Sequence, residues 1–459
     1  MAARHATELM GCGFSLHIDR SNVVGLRKPK SRISAVEVST GEQKIGEYAF
    51  HNCDQLKSLK NPGTLTRVDL HAFTACEFTS LTLPDNVNSI GPKAFQRCNR
   101  LISITLPKNL TSIDSFVFQG CCALTSVKLS ENLTNIGPCA FASCSQLSNI
   151  TLPKSLTNIS ARTFEGCKAL KSLIIPDSVT KIGGRCFEGC SGLTSITLPD
   201  ALSRIEKCTF NHCSELISVR LPRFLISIGT NGFACTKLTS LVLPDTLHSM
   251  GAYTFFECSE LLSVKLPNTL ENIPNFCFSG CIKLTSLLLP AKLRGFGGHA
   301  FNDCRSLTSL ELHNGLISIG DCAFQFCNKL ASLELPDTVR NIGSYAFHGC
   351  KAITSLSMPY MLTSVGYGVF ARCMALSKVF FRPRVSLVFL VWATGKSCNR
   401  TNWQVTTLKH SHNILRLIAT LAQDIRPASN LDPHHHDHVF KDCTGLLRIM
   451  YGEHCKKTN

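Results

Sequence analysis

One feature constrains this chain more than any other: aligned on a recurring Ile-Gly, the sequence returns to register every 23 residues. The phase markers are Ile45, Val68, Ile90, Ile113, Ile136, Ile159, Ile182, Ile205, Ile228, Met250, Ile273, Phe296, Ile319, Ile342 and Val365. They define fifteen units, of which those starting at Val68 and Ile228 are one residue short. The shared pattern is I-G-x-x-A-F-x-x-C-x-x-L-x-S-I-x-L-P-x-x-L-x-x, in which positions are counted from the first Ile. A length of 459 residues would suggest about three globular domains, but that prior does not apply to a chain that repeats.

The pattern has a direct physical reading. In "LTSITLP", Leu193 to Pro199, the apolar Leu193, Ile196 and Leu198 alternate with Ser195 and Thr197, as a strand with one wet face requires. The proline ends that strand because it has no N–H to give to a ladder. A second short segment, "LSRI" at Leu202 to Ile205, turns two more apolar side chains inward. The piece "AFxxC" is expected to be a single helical or 3₁₀ turn, since so few residues hold nothing longer. About eight of the 23 positions point inward, too few for one unit to bury alone, so neighbours must stack. Their strands then lie about 4.8 Å apart. The expected fold is an α/β solenoid: a right-handed superhelix with a parallel sheet on its concave face, short second strands, and single helical or 3₁₀ turns elsewhere.

This pattern resembles the leucine-rich repeats of the BspA-like or Treponema pallidum type, with their L-x-x-L-x-L-P and I-G-x-x-A-F-x-x-C signature. The resemblance covers about Ile45 to Val385, three quarters of the chain. It implies a recognition or adhesion protein without catalytic activity of its own, whereas periodicity alone implies only a scaffold.

Three segments follow. Residues 1–44 form an N-terminal segment and cap, in which "ISAVEVSTGEQK" (33–44) reads as a degenerate strand half. Residues 45–385 form the solenoid, and residues 386–459 a C-terminal cap. Within that cap Leu408, Ile414, Leu417, Ile418, Leu421 and Ile425 make an amphipathic stripe, read as a helix over about 405–425 that covers the open end of the core. "VFKDCTGLLRIMY", 439–451, returns to the repeat phase as a final half-repeat.

Of the 25 cysteines, fifteen are assigned to the ninth position: Cys53, Cys76, Cys98, Cys121, Cys144, Cys167, Cys190, Cys213, Cys235, Cys258, Cys281, Cys304, Cys327, Cys350 and Cys373. A column at one phase of a solenoid is a buried ladder, where Cys acts as a small apolar residue. Parallel Cβ atoms at that spacing do not favour disulfides, so free thiols and a reducing compartment are expected. Cys186 and Cys277, at the fifth position, fill the core. Cys139, Cys208 and Cys322 fall at the fourth, which elsewhere accepts Lys93, Arg162 and Arg185, and are therefore expected to reach water.

Other constellations are weak. A net charge of +16 is spread along the chain with "RKPKSR" as its densest tract, so nucleic acid is an improbable partner. "ATGKS", Ala393 to Ser397, lacks the first glycine of a phosphate-binding loop and no helix pattern follows it. "HHHDH" offers His434, His436 and His438 as weak metal candidates, but adjacent histidines on one loop cannot all converge on one ion. No Ser/His/Asp set, H-E-x-x-H or G-x-S-x-G occurs, so no catalytic residue, cofactor or enzyme activity is expected. No apolar run reaches the roughly 18 residues of a transmembrane helix and no secretory signal is evident. A cytoplasmic setting is the expectation, with the cell surface or secretion as the alternative.

Recognition would be carried where units depart from the consensus. The residue between the last two apolar positions of the strand, usually Thr, becomes Lys128, Ile174, Arg220, Val242, Lys265, Leu288, Glu311, Glu334 and Phe380. Arg220, Arg223 and Lys265 are expected to form a basic zone, and Glu311, Glu334 and Asp337 an acidic one. Tyr360, Phe380 and Arg382 supply an edge of the residue types common in interface hot spots. The expected function is a non-enzymatic protein-interaction scaffold binding a protein partner on this face; the alternative is a surface adhesion protein exported without a visible signal.

Overall fold

The computed structural model describes residues 14–18, 33–38, 41–61, 63–376, 378–381, 388–392 and 403–405. The chain divides into two compact units, Met1–Leu238 and Thr239–Asn459.

In the first unit each repeat contributes a longer strand, usually of three residues, and a two-residue strand, and these pair with their equivalents in neighbouring coils. Ser80–Thr82, Ser103–Thr105, Ser126–Lys128 and Asn149–Ile150 form one parallel sheet, with Ser80, Ser103, Ser126 and Asn149 on successive rungs. Ser172–Ile174, Ser195–Thr197 and Ser218–Arg220 form another in the same register. The short strands do likewise, as in Ser112–Ile113, Asn135–Ile136, Asn158–Ile159 and Lys181–Ile182. At the N-terminal end Ile33–Val38 pairs with Ser58–Lys60, as its strand pattern predicts. A further parallel strand, Phe14–Ile18, lies outside it.

The second unit repeats the plan. Ser240–Val242 pairs with Ser263–Lys265, and the short strands run from Asn272–Ile273 to Ser364–Val365 in one five-stranded parallel sheet. At its C-terminal end the direction changes. Lys378–Phe381 pairs in parallel with Ser355–Met358, then antiparallel with Val388–Trp392, which pairs antiparallel with Trp403–Val405. This reversal covers the exposed edge of the last parallel strand, an edge that would otherwise present unpaired backbone groups. The predicted helix at about 405–425 and the half-repeat at 439–451 lie outside the described residues.

The core follows the arithmetic of the repeat. In the coil that starts at Ile136, the side chains of Ile136, Ala140, Phe141, Cys144, Leu147, Ile150, Leu152 and Leu156 are all buried. The sixth-position rings stack from coil to coil: Phe118, Phe141 and Phe164 have successive centroid separations of 5.4 and 5.8 Å, with interplanar angles of 8° and 5°. In the second unit Phe278, Phe301, Phe324 and Phe347 continue the same stacking.

The expected α component is not found: among the described residues there is no helix or 3₁₀ segment. The reason lies in the backbone. The fourth and eighth positions adopt positive φ, for example 55° at Tyr48 and 59° at Asn52, which interrupts any run of right-handed residues. N–H groups then alternate between two fates. Ala49, His51 and Cys53 close turns onto Gly46, Tyr48 and Phe50, whereas Tyr48, Phe50 and Asn52 donate to Leu70, Ala72 and Thr74 of the next coil. The segment is thus a ladder of turns whose hydrogen bonds run between coils, and the fold is a parallel β-solenoid.

Candidate recognition surface

The buried cysteines come first, because they could be mistaken for a site. Cys144 Sγ donates to the Phe118 carbonyl at 3.1 Å, and Cys98, Cys121, Cys167, Cys190 and Cys213 make the same bond to the phenylalanine of the preceding coil. That carbonyl also accepts an N–H, as Phe118 does from Cys121, so the thiol fills its second lone pair. No described cysteine is in a disulfide. Burial pushes the Cys98, Cys190 and Cys373 thiols up to about 12, which suppresses the thiolate that metal binding or nucleophilic chemistry needs.

Three cysteine assignments require correction. Cys235 is not in the column: the shortened coil places it at the eighth position with φ of 56°, and Thr236 takes the ninth, donating its hydroxyl to the Phe233 carbonyl at 2.8 Å. Cys139 and Cys208 do not reach water; both are buried, while Cys322 is half-buried. Fourth-position side chains lie against one another, as when Tyr48 stacks on His71 at 4.8 Å and Phe276 on His299 at 4.4 Å. A long Lys or Arg there runs its stem along the neighbours and keeps its charge wet, but a cysteine is too short to emerge. The exposed thiol among the described residues is Cys122, which follows the column cysteine Cys121.

Much of the outer surface is committed to holding coils together. At the thirteenth position Thr125 and Thr194 donate their hydroxyls to Ile102 and Lys171 carbonyls at 3.0 and 3.2 Å. At the twentieth, the Asn109 and Asn132 amides reach Asp85 and Lys108 carbonyls at 3.1 and 3.0 Å. At the twenty-second, Thr134 and Thr157 reach Thr111 and Thr134, each at 3.1 Å. The aspartate after the strand-ending proline serves too: Asp200 accepts the Arg223 backbone N–H at 3.0 Å, and Asp337 that of Tyr360 at 3.1 Å. These explain why Ser, Thr, Asn and Asp recur at fixed phases.

The sixteenth position is different. It is the last residue of the longer strand, pointing outward after the buried central one, and carries the substitutions singled out above. Ile174 is 87% exposed and Leu288 81% exposed, with Val242 also in water. Rungs are set by register: Ile174, Thr197 and Arg220 are successive in the first unit, and Val242, Lys265 and Leu288 in the second.

The predicted charged zones are placed as follows. Arg220 and Arg223 converge on Asp200, with guanidinium to carboxylate distances of 3.3 and 3.5 Å. The Arg223 N–H and the two guanidiniums together hold the Asp200 carboxyl below the ordinary carboxylate value. Lys265 lies on the second unit's Ser263–Lys265, with Val242 and Leu288 on the adjacent rungs. Glu311 and Glu334 are exposed, and the neighbouring Ser309 and Ser332 are paired in parallel, so two carboxylates follow one another up the sheet. Asp337 and Tyr360 come together through the backbone bond already described. Phe380 lies on Lys378–Phe381, opposite Ser357. Arg382, His434, His436 and His438 lie outside the described residues. Among the described residues no group of three His, Cys, Asp or Glu is placed to hold a metal ion.

Exposed apolar residues outside the sixteenth position escaped the sequence pattern: Ile102, Leu262 and Ile317 stand singly in their coils at such phases, whereas Ile217, Phe224 and Ile226, which are 43%, 65% and 46% exposed, fall together in one. The signal was present, since they occupy the thirteenth, twentieth and twenty-second positions, where the repeat otherwise favours hydrogen-bonding side chains.

A right-register parallel solenoid with a leucine and phenylalanine core, committed hydrogen-bonding columns and a variable outward column defines a leucine-rich repeat protein. A profile described as the BspA type leucine rich repeat region matches in six overlapping copies, at residues 29–147, 66–194, 111–231, 136–259, 182–308 and 295–388. The chain belongs to this family. Among solved structures it is similar to a leucine-rich repeat protein from Bacteroides ovatus, with 27% identity over 75% of this chain and 86% of that one, and a TM-score of 0.62. It also matches a leucine rich cell surface protein from Faecalibacterium prausnitzii at 20% identity, 83% and 90% coverage and a TM-score of 0.41. The Treponema pallidum leucine rich repeat protein matches at 23% identity, 50% and 78% coverage and a TM-score of 0.24. No curated protein sequence matches. No helix among the described residues is long and apolar enough to cross a membrane, and nothing found supports the cytoplasmic expectation.

Proposed function

We propose that the chain is a non-enzymatic scaffold that binds a protein partner through the outward column of its longer strands. The observation that carries this reading is the exposure of Ile174 and Leu288, the most exposed large apolar side chains among the described residues, on a surface where many side chains are committed to inter-coil hydrogen bonds. Leaving such side chains in water forgoes burial worth about 1.5–3 kcal/mol each, and a partner that covers them recovers it. Membership of a repeat family supports the same reading, because stacked repeats present long, graded surfaces rather than one enclosed pocket.

The residues assigned to this role, in the column or just beyond it in sequence, are Arg220 and Arg223 in the first unit, and Lys265, Glu311, Glu334, Asp337, Tyr360, Phe380 and Arg382 in the second. The test compares proteins captured by the wild-type chain with those captured by Ile174→Lys, Leu288→Lys, Glu334→Lys and Arg220→Glu/Arg223→Glu variants, with Cys122→Ser as a surface control. At least one column variant is expected to lose a partner that the control keeps. Identical capture by all variants would remove the strand column from consideration.

A further inference from the structure

We infer that the coil from Ile205 to Ser227 is a docking strip for an acidic protein segment that carries an apolar anchor, a reading that rests on the scaffold function proposed above.

Three departures from the repeat fall in this one coil. Ile217, Phe224 and Ile226 replace side chains at the three phases where other coils of the same unit use a hydroxyl or amide to reach the preceding coil. The fold does not need the substitution. The Ile217 N–H still donates to the Thr194 carbonyl at 2.9 Å and the Ile226 N–H to Ser203 at 2.8 Å, so the coil keeps its register without side-chain help. Nor do the new side chains enter the core, for all three are more than 40% exposed. They contribute neither a stitch nor burial, and the contact they are suited to is with another molecule. Ile174, two rungs from Arg220 on the same face, adds a fourth exposed apolar side chain.

Charge specifies the partner. Arg220 and Arg223 flank the apolar residues and share a single carboxylate, Asp200, which also accepts a backbone N–H. Arg204, exposed on the rung beside Ser227, adds a third cation. Glu215 of the same coil is taken up by Lys237 at 3.0 Å and Glu206 is offset in number by the adjacent Lys207, so Asp200 is left against Arg204, Arg220 and Arg223 and the strip is net positive. Both Arg220 and Arg223 retain exposed side-chain surface. An acidic segment complements this field, and an aromatic or leucine side chain within it finds Phe224 and its neighbours. Arginine suits the task because its planar fork can bind a carboxylate in a bidentate manner while already paired.

The experiment selects a phage-displayed random peptide library on the full chain, counter-selected on an Ile217→Thr/Phe224→Asn/Ile226→Thr variant. Circular dichroism confirms the fold of every variant. Selected peptides are synthesised and titrated by fluorescence anisotropy against wild type, Phe224→Asn and Arg220→Gln/Arg223→Gln at low and high salt. The expected peptides are rich in Asp and Glu around an aromatic or leucine residue. Each variant should weaken them at least tenfold, and the arginine variant should flatten the salt dependence. Basic or neutral consensus peptides, or no peptide sensitive to Phe224→Asn, would overturn the assignment. Concentration-dependent self-association abolished by Phe224→Asn would also overturn it, assigning the strip to a second copy of the chain. Peptides indifferent to this coil but lost with Leu288→Lys would overturn it while leaving the scaffold reading intact. Insensitivity to every column variant in both units would remove both.

Discussion

At the residue scale, two glycines show how the same amino acid serves different ends. Gly166 lies at the eighth position with φ of +71°, and a Cβ built there would meet nothing closer than 3.6 Å. Its requirement is conformational, so Gly166→Ala should cost about 1–2 kcal/mol, the usual penalty for a left-handed residue with a side chain. Gly183, at the second position, has no such φ, but its Cβ would come within 2.3 Å of the Ala161 backbone nitrogen. There the coils themselves must move, and Gly183→Ala should be the more damaging by a wide margin. Thermal denaturation of the two variants decides between these accounts; equal losses would mean that coil spacing is not the constraint at Gly183.

The column thiols make a second residue-scale prediction. Cys98 and Cys190 are held near 12 by burial, so both should resist iodoacetamide at pH 8 in the native protein. Cys122, which is exposed, should label first. Peptide mapping by mass spectrometry reads each site separately, and rapid native labelling of Cys98 would refute the assignment. Cys144→Ala removes the bond to Phe118 and leaves a small cavity, a loss on the order of 1–2 kcal/mol.

At the scale of the element, the unit is the coil, and its stability is shared with two neighbours. Phe164 stacks on Phe141 and Phe187 at 5.8 and 5.7 Å, so Phe164→Ala opens a cavity that three coils line. The expected cost is about 3–5 kcal/mol, with amide exchange accelerating most in those coils and least in distant ones. Uniform acceleration along the chain would show that the array unfolds as one body rather than by neighbours.

The coil also shows what could be read in advance. Strand, proline, second strand and the apolar positions followed from period-two alternation and the 23-residue phase, and Ile136, Phe141, Leu147, Ile150, Leu152 and Leu156 are buried as that pattern requires. The turn segment was misread because its conformation is imposed by bonds to the next coil, and Tyr48, Lys93, Arg162 and Cys139 share no chemistry that would announce a positive φ. The same cause hid the burial of Cys139. Of the proposed recognition surface, the outward exposure of the variable column was legible, because an outward strand position changes without disturbing the core. The strip at Ile217, Phe224 and Ile226 was not, since its meaning depends on which side chains in other coils hydrogen-bond across, and that is visible only in three dimensions.

At the scale of the whole molecule, the response to acid follows from histidines in separate coils. Burial is the largest influence on His71, His299 and His348 and lowers each below the ordinary histidine value. Lys93 and His51 add repulsion at His71, and Arg372 at His348, while Asp321 opposes the shift at His299. A histidine whose folded value lies below its unfolded one binds its proton more readily in the unfolded chain. Stability is therefore complete above the unfolded value of about 6.5 and is lost as pH falls through the lower folded values. The lowered carboxyls Asp85 and Asp200 act in the same direction, but only below the carboxylate range, so the two effects separate on the pH axis. Denaturant unfolding should show a declining midpoint from pH 7 to pH 5, then a second decline in stronger acid. His299 is stacked on Phe276, which is itself stacked on Tyr253 at 4.5 Å, so His299→Phe extends the stack and removes one titrating group. That variant should flatten the first decline and leave the second unchanged. If the first decline persists in full in His299→Phe, and in the corresponding His71 and His348 substitutions, the acid sensitivity arises elsewhere than in these three histidines.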